Sequence, residues 1–378
     1  MNRIGILAGG LVIGVALGVV AERRQHPPVA APAPAAVPAP ASTPLPNYAA
    51  EPAWAYGWAT PPKTGDTAAP VAPPSRALRP NEDPAEQTKP RHVAGSTATY
   101  SLVDVRDGGH VIDWFPGDHP PMPDVIKRGP AGMGEVTRGC ASCHLPNGKG
   151  RPENAPVAGL PMAYLLRQMQ DFRHGLRASA DPRKPNVPLM IALASALTDE
   201  ELLASVQYFA ALKYDTPWVR VVESPLVPQT KIVNQLFVPV AKALTEPING
   251  RIIEVPEDEA QSELVRNPHS GFLAYVPPGS IEKGKTLALT GGLRIEGTTV
   301  VPGPTMACIT CHGPELRGTA DVPPIAGRSP SYLARQLWDM QQGTRHGSGM
   351  DLMKPVVAKL TPDDILNLAA YVASRPPR

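Results

Sequence analysis

Cysteine is almost absent from this chain of 378 residues, which contains four. Aromatic residues are scarce as well, at 5%, and positive side chains exceed negative ones by only two. So small a net charge argues against the basic footprint of a nucleic-acid binder. Few aromatics together with 48 prolines mean that much of the chain cannot pack into a core, so less of it is folded than its length suggests. No pterin, flavin or quinone-cofactor signature is visible, so any oxidation of a small substrate belongs to another polypeptide. The length is that of two or three units, each with a small core.

Long apolar runs are also rare. The one at the start extends from Ile4 to Ala21 behind the positive Arg3, and residues 1–26 read as a membrane-targeting segment. Retention as an anchor is the favoured reading. The alternative is cleavage after Val19-Val20-Ala21, and both place the remainder outside the cytoplasm. No cysteine follows the run, which argues against a lipid anchor. Residues 27–95 are rich in proline and alanine, with PPVAAPAPAAVPAPASTPLP as the densest part. That composition favours an extended polyproline tether over a packed core.

The globular part repeats itself. All four cysteines lie in two boxes, CASCH at 140–144 and CITCH at 308–312, so His312 follows His144 by 168 positions. The same offset aligns Pro156 with Pro324, Gly159 with Gly327, Tyr164 with Tyr332, Gln168 with Gln336, Asp171 with Asp339 and Arg177 with Arg345. Both YLLRQMQDFRHGLR and YLARQLWDMQQGTR have apolar residues at helical spacing and end near glycine. The shared RQ pair marks a helix near the site, with its charge expected in solvent. Each copy closes with a Thr followed by acids, a helix N-cap. The expected organisation is 96–213, a connector at 214–278 with a few short strands, and 279–378. A small docking domain is the other reading of the connector.

A C-x-x-C pair alone fits a redox dithiol, half a zinc site or a disulfide, whereas an adjacent histidine makes it the attachment signature for c-type haem. Cys140 and Cys143, then Cys308 and Cys311, would bind the porphyrin vinyl groups, with His144 and His312 reaching iron. A zinc ribbon leaves the helical repeats and both histidines unexplained. A disulfide closing so short a loop is a poor staple.

On these residues, with Pro156-Val157-Ala158-Gly159, Tyr164, Gln168 and Met190 in one copy and Pro324-Ile325-Ala326-Gly327, Tyr332, Gln336 and Met353 in the other, the chain resembles tandem class I cytochrome c domains. It is similar to membrane-anchored diheme cytochromes of the c4 kind. The resemblance implies a mainly α fold with two covalently bound haems c. It also implies that the carbonyls of Pro156 and Pro324 accept the second ring N–H of the ligating histidines. Tyr164 and Tyr332 either bond a haem carboxylate or cap the core. The long tether and connector depart from that family, which leaves open whether the two haems face each other.

Candidates for a sixth iron ligand are Met162, Met169, His174 and Met190 in the first copy and Met340, His346, Met350 and Met353 in the second. Only Met190 and Met353 occupy equivalent places, where the family's axial methionine is expected, although Met350 shares the short loop of Met353. The histidines at 26, 92, 110, 119 and 269 have no counterpart and read as surface residues. Two His/Met sites describe an electron carrier between redox partners, such as a dehydrogenase, a quinol-linked complex or a terminal oxidase, at the periplasmic face of the membrane. The alternatives are a peroxidase-like diheme enzyme and a haem subunit of a larger dehydrogenase complex.

Overall fold

The last helix of each copy begins where the sequence caps it. Thr198 and Thr361 accept the backbone N–H of Glu201 and Asp364, whose carboxylates return to the N–H groups of the two threonines. Two otherwise orphaned donors at each helix end are satisfied in this way. In the computed structural model, which describes residues 51–71, 74, 76–240 and 244–377, the short helices α1 (Pro84–Thr88), α2 (Leu102–Arg106) and α3 (Asp124–Arg128) precede the first copy. That copy contains α4 (Ala141–His144), α5 (Met162–Arg173), α6 (Asn186–Ala196) and α7 (Asp199–Ala211). The second contains α8 (Ser280–Thr290), α9 (Ile309–His312), α10 (Pro330–Gln341), α11 (Met350–Val357) and α12 (Pro362–Ala373). The segment 1–26, the first part of the expected linker and His26 lie outside the described residues. Among the described residues no helix is long and apolar enough to cross a membrane.

The two copies are joined by contacts that each makes on the other. Arg177 donates to Gln168 of its own copy at 3.0 Å and to Gln336 at 2.8 Å and Tyr332 at 3.2 Å across the interface. Arg345 does the converse, donating to Gln336 at 2.9 Å, Gln168 at 2.7 Å and Tyr164 at 3.1 Å. The backbone N–H of Ala180 donates to Asp339 at 2.8 Å, and that of Ser348 donates to Asp171 at 3.0 Å. A short antiparallel bridge joins Arg177 and Arg345 themselves. The residues repeated at the 168 spacing are therefore those of an approximately two-fold interface.

Residues 214–278 are more than a connector. The strands β1 (Val219–Glu223), β6 (Ile253–Pro256) and β7 (Phe272–Val276) form a sheet in the order β1-β7-β6, with β1 parallel to β7 and β6 antiparallel to it. Between them in the chain are the antiparallel pairs of β2 (Leu226–Pro228) with β5 (Thr245–Pro247) and β3 (Thr230–Val233) with β4 (Leu236–Pro239). A last hairpin, β8 (Arg294–Glu296) and β9 (Thr299–Val301), precedes the second cysteine box. Alternation in FLAYV buries Phe272, Ala274 and Val276, which belong to one continuous core with Ala141, Phe209, Ile253 and Ile365. Glu254 on β6 is buried and accepts Ser329 Oγ at 2.8 Å and the Ser331 N–H at 3.3 Å, tying the sheet to the start of α10.

Three further expectations need correction. Residues 51–58 fall in the expected linker, yet Trp54, Ala55 and Tyr56 are buried in the main core, because AWAYGW supplies aromatic surface that the flanking Pro/Ala sequence lacks. Arg335 of the repeated RQ pair is not in solvent. It is buried and donates to the carbonyls of Ala55 and Pro152. The His119 ring lies edge-on to Tyr208 with Nε2 3.3 Å from Asp113, so it is a packed residue rather than a surface one.

Gly284 lies inside α8 where the helix crosses α12, and a Cβ there would collide with the Asn367 carbonyl and the Tyr371 side chain. Gly284→Ala is expected to destabilise the second copy by about 1–3 kcal/mol despite the better helix propensity of alanine, measured by chemical denaturation. Burial pushes the Glu254 carboxyl up to about 7, against the opposing Ser329 and Ser331 hydrogen bonds and the Arg335 charge. The folded protein therefore holds this proton at pH values where the unfolded chain has lost it, and stability falls as pH rises between the unfolded value and about 7. In Glu254→Gln that part of the pH dependence should disappear from the denaturation midpoint.

Candidate haem sites

A single helical turn assembles each cysteine box. In α4 the His144 N–H donates to the Cys140 carbonyl at 3.1 Å, and in α9 the His312 N–H donates to the Cys308 carbonyl at 2.9 Å. Positions three and four apart share a helix face, so both sulfurs and the imidazole of each box point the same way. Burial pushes the first thiol of each box up, Cys140 to about 12 and Cys308 to about 11, which keeps these two sulfurs neutral when unattached. A thioether has no proton to lose, so attachment costs nothing in desolvated charge.

His144 Nδ1–H donates to the Ala155 carbonyl at 2.8 Å, and His312 Nδ1–H donates to the Pro323 carbonyl at 2.8 Å. The acceptor is thus one residue before the proline expected to supply it. The carbonyls of Pro156 and Pro324 are instead taken by Arg328, through Nη1 and Nε, each at 2.8 Å. One guanidinium thereby ties the two equivalent loops together. Burial pushes both imidazoles below the usual histidine range. Each ring is therefore neutral, with its orientation fixed by Nδ1 and its Nε2 lone pair available to a metal.

The Pro-x-Ala-Gly turns follow. Gly159 and Gly327 have φ of 65° and 71° and donate to the Phe209 and Val372 carbonyls of the closing helices, each at 3.0 Å. A Cβ would lie 3.1 Å from the Leu212 carbonyl in one copy and 3.0 Å from that of Arg375 in the other, which explains glycine at both places.

In the first copy the box opens on a cavity lined by Cys140, Cys143, His144, Met169, Phe172 and Met190 among others. Of the ligand candidates, Met162 and His174 are exposed and Met169 and Met190 reach the cavity. Met190 lies on α6 and Met353 at the corresponding place on α11, with Met350 at the start of the same helix. Met353 and Met340 pack against the core, and His346 is exposed. The second site is more open: Cys311 is exposed, as are Met306 shortly before it and Leu352 next to Met353. The hydroxyls of Tyr164 and Tyr332 are taken by arginines of the opposite copy. Although burial opposes ionisation, the Arg345 and Arg177 guanidiniums draw the Tyr164 hydroxyl below the usual tyrosine range.

This chemistry suits haem c. Two sulfurs, a neutral imidazole and a thioether border a mainly apolar space. Ser179 Oγ, which lines it, is buried without a hydrogen-bond partner among the described residues. Such an unsatisfied donor suits a haem carboxylate. What sequence reasoning missed was the interface role of Arg177, Arg345, Asp171 and Asp339, although their recurrence at one offset was the signal.

Residues 131–213 and 282–376 both match the cytochrome c family. The chain is 25% identical over 247 residues to a thiosulfate dehydrogenase electron acceptor of Stutzerimonas stutzeri, covering 64% of this chain and 82% of that protein. It is 26% identical over 247 residues to cytochrome c4 of Azotobacter vinelandii, covering 64% and 86%. Among solved structures, a thiosulfate dehydrogenase from Marichromatium purpuratum aligns at 27% identity with a TM-score of 0.36, covering 64% of this chain and only 37% of that one. The chain thus carries two cytochrome c domains, each with its own haem-binding box, and is similar to the diheme cytochrome c4.

Proposed function

We propose that the protein carries single electrons between redox partners on the periplasmic side of the membrane, through haems ligated by His144 and Met190 in the first copy and by His312 and Met353 in the second. The observation that supports this best is the twofold recurrence of one construction, a histidine Nδ1–H held at 2.8 Å by a carbonyl eleven residues further on. Bound haem iron supplies reversible one-electron exchange between its ferric and ferrous forms. The chain does the rest. His144 and His312 present Nε2 in a fixed orientation, and a methionine thioether as the other ligand would favour the ferrous form and raise the potential. Leu165, Phe172, Leu193 and Phe209 keep water from the first site.

The domains 96–213 and 279–378 are the units of this reading, with 214–278 packed between them in the chain and residues 1–26 directing export and anchoring. A thiosulfate-oxidising dehydrogenase is the donor best supported, since one relative bears the name of such an enzyme's electron acceptor. The more open second site is the end suited to meeting a partner. With all four cysteines used for haem, none remains as a sulfur ligand or persulfide carrier for enzyme chemistry. Losing Cys140 and Cys143 together should unfold the first copy, because haem supplies much of a small domain's core.

Near-infrared magnetic circular dichroism of the oxidised, haem-loaded protein should report two methionine-ligated haems. Met190→Ala and Met353→Ala should each remove one of these signals and lower one midpoint potential while leaving the other haem unchanged. A bis-histidine or high-spin haem in the native protein, or an effect of Met350→Ala in place of Met353→Ala, would overturn the ligand assignment.

A further inference from the structure

Residues 51–58 close the first haem cavity from behind. Tyr56, fully buried, donates its hydroxyl to Asp339 at 2.7 Å, and Lys184 Nζ donates to the Tyr56 carbonyl at 3.4 Å. The Arg335 guanidinium donates to the Ala55 carbonyl. Lys184, Arg335 and Asp339 all line the cavity. The segment therefore rests on the outer side of the cavity wall.

At its start is a group that neither haem attachment nor the domain interface uses. Glu51 is 6% exposed and faces Asp181, which is 0% exposed. Neither Glu51 carboxyl oxygen has a donor among the described residues. Asp181 accepts from Arg183 through the backbone N–H at 2.8 Å, Nε at 3.0 Å and Nη2 at 2.6 Å, charge-assisted bonds that favour the carboxylate as acceptor and not as donor. Two ionised carboxylates offer each other only acceptors, and their like charges repel in a poorly screened interior. One proton resolves both problems, because a protonated Glu51 donates to Asp181. Burial and the Asp181 charge push Glu51 up to about 8, with Asp339 adding to the shift and Arg183 opposing it.

We propose that the Glu51–Asp181 pair is a proton-binding site coupled to electron uptake at the first haem. This rests on the electron-carrier reading. In the coupled step one electron takes ferric iron to ferrous, and one proton from solvent binds a Glu51 carboxylate oxygen, where it is shared with Asp181. No other bond forms or breaks. The electron lowers the positive charge beyond the Ser179–Lys184 wall, so the pair binds its proton more tightly when the haem is reduced. Between its proton affinities in the two redox states, the midpoint potential must fall as pH rises. The other groups facing the pair are Arg183 in its own loop, Tyr56 in the buried segment and Asp339 on α10, with Lys184 and Arg335 beyond them. Arg183 already donates three hydrogen bonds to Asp181, so the pair is built to exchange one proton rather than two.

The test is spectroelectrochemical titration of the full-length, haem-loaded protein over a pH series of about 6 to 10, combined with reduced-minus-oxidised infrared difference spectra. In the native protein one midpoint should fall as pH rises through the range around 8 while the other stays flat, and reduction should generate a carboxylic-acid carbonyl band. Glu51→Gln and, separately, Asp181→Asn should abolish that fall, and Glu51→Gln should remove the band. Glu51→Asp, which keeps the acid, should retain both. Two reversible waves with pH-independent midpoints in the native protein would overturn the coupling and leave the carrier reading intact. A fall retained unchanged in both Glu51→Gln and Asp181→Asn would assign the proton to haem carboxylates and overturn it as well. A chain that does not take up two electrons reversibly would overturn the carrier reading and the coupling together.

Discussion

The exchange of arginines between the two copies is the constraint on which the rest depends. Arg177 and Arg345 each find a glutamine at home and a glutamine and a tyrosine across the interface, so neither guanidinium is satisfied unless both copies are in place. Buried charge of this kind is costly when a partner is missing. The arrangement therefore favours one relative placement of the copies over looser ones. Asp171 and Asp339 extend the logic by accepting backbone N–H groups of the opposite copy. Arg328 adds a third tie by holding the turn that follows each haem-binding box. Each tie lies close to a histidine loop or a cavity wall, so the interface and the cofactor sites are positioned together.

The segments outside the two stretches that match the cytochrome c family are laid onto that interface. Glu254 anchors the sheet to the start of α10, and the Tyr56 segment reaches Asp339 and Arg335 on the same helix. Helix α10 thus meets both the first copy and these two outlying pieces, with Asp339 accepting from Ala180 and from Tyr56. The acids buried by this packing are held away from their ordinary proton affinities, with Glu254 up to about 7 and Asp339 up to about 6 because of burial. Groups of that kind respond to a change of charge nearby. A site that exchanges electrons supplies such a change.

Much of this was legible in the residues themselves. The two C-x-x-C-H boxes, the 168-residue offset, the capped closing helices and the short strands expected at 214–278 all rest on local rules: spacing around a helical turn, periodicity, and caps that satisfy orphaned N–H groups. The buried segment was less legible, because AWAYGW is a short apolar island in a sequence whose composition reads as a tether. The carbonyl partner of each histidine was misplaced by one residue, since the choice between Ala155 and Pro156 depends on the path of a turn.

The sequence by itself determined the haem-binding boxes, the two-copy organisation and the helical character of each copy, because these follow from contacts within a few residues of chain. Only the tertiary structure decided that Tyr164, Gln168, Asp171 and Arg177 and their counterparts face one another across an interface, that Arg335 is buried, and that Glu51 lies against Asp181. Those outcomes join residues more than a hundred positions apart, and recurrence alone cannot say whether a repeated side chain serves its own copy or the other.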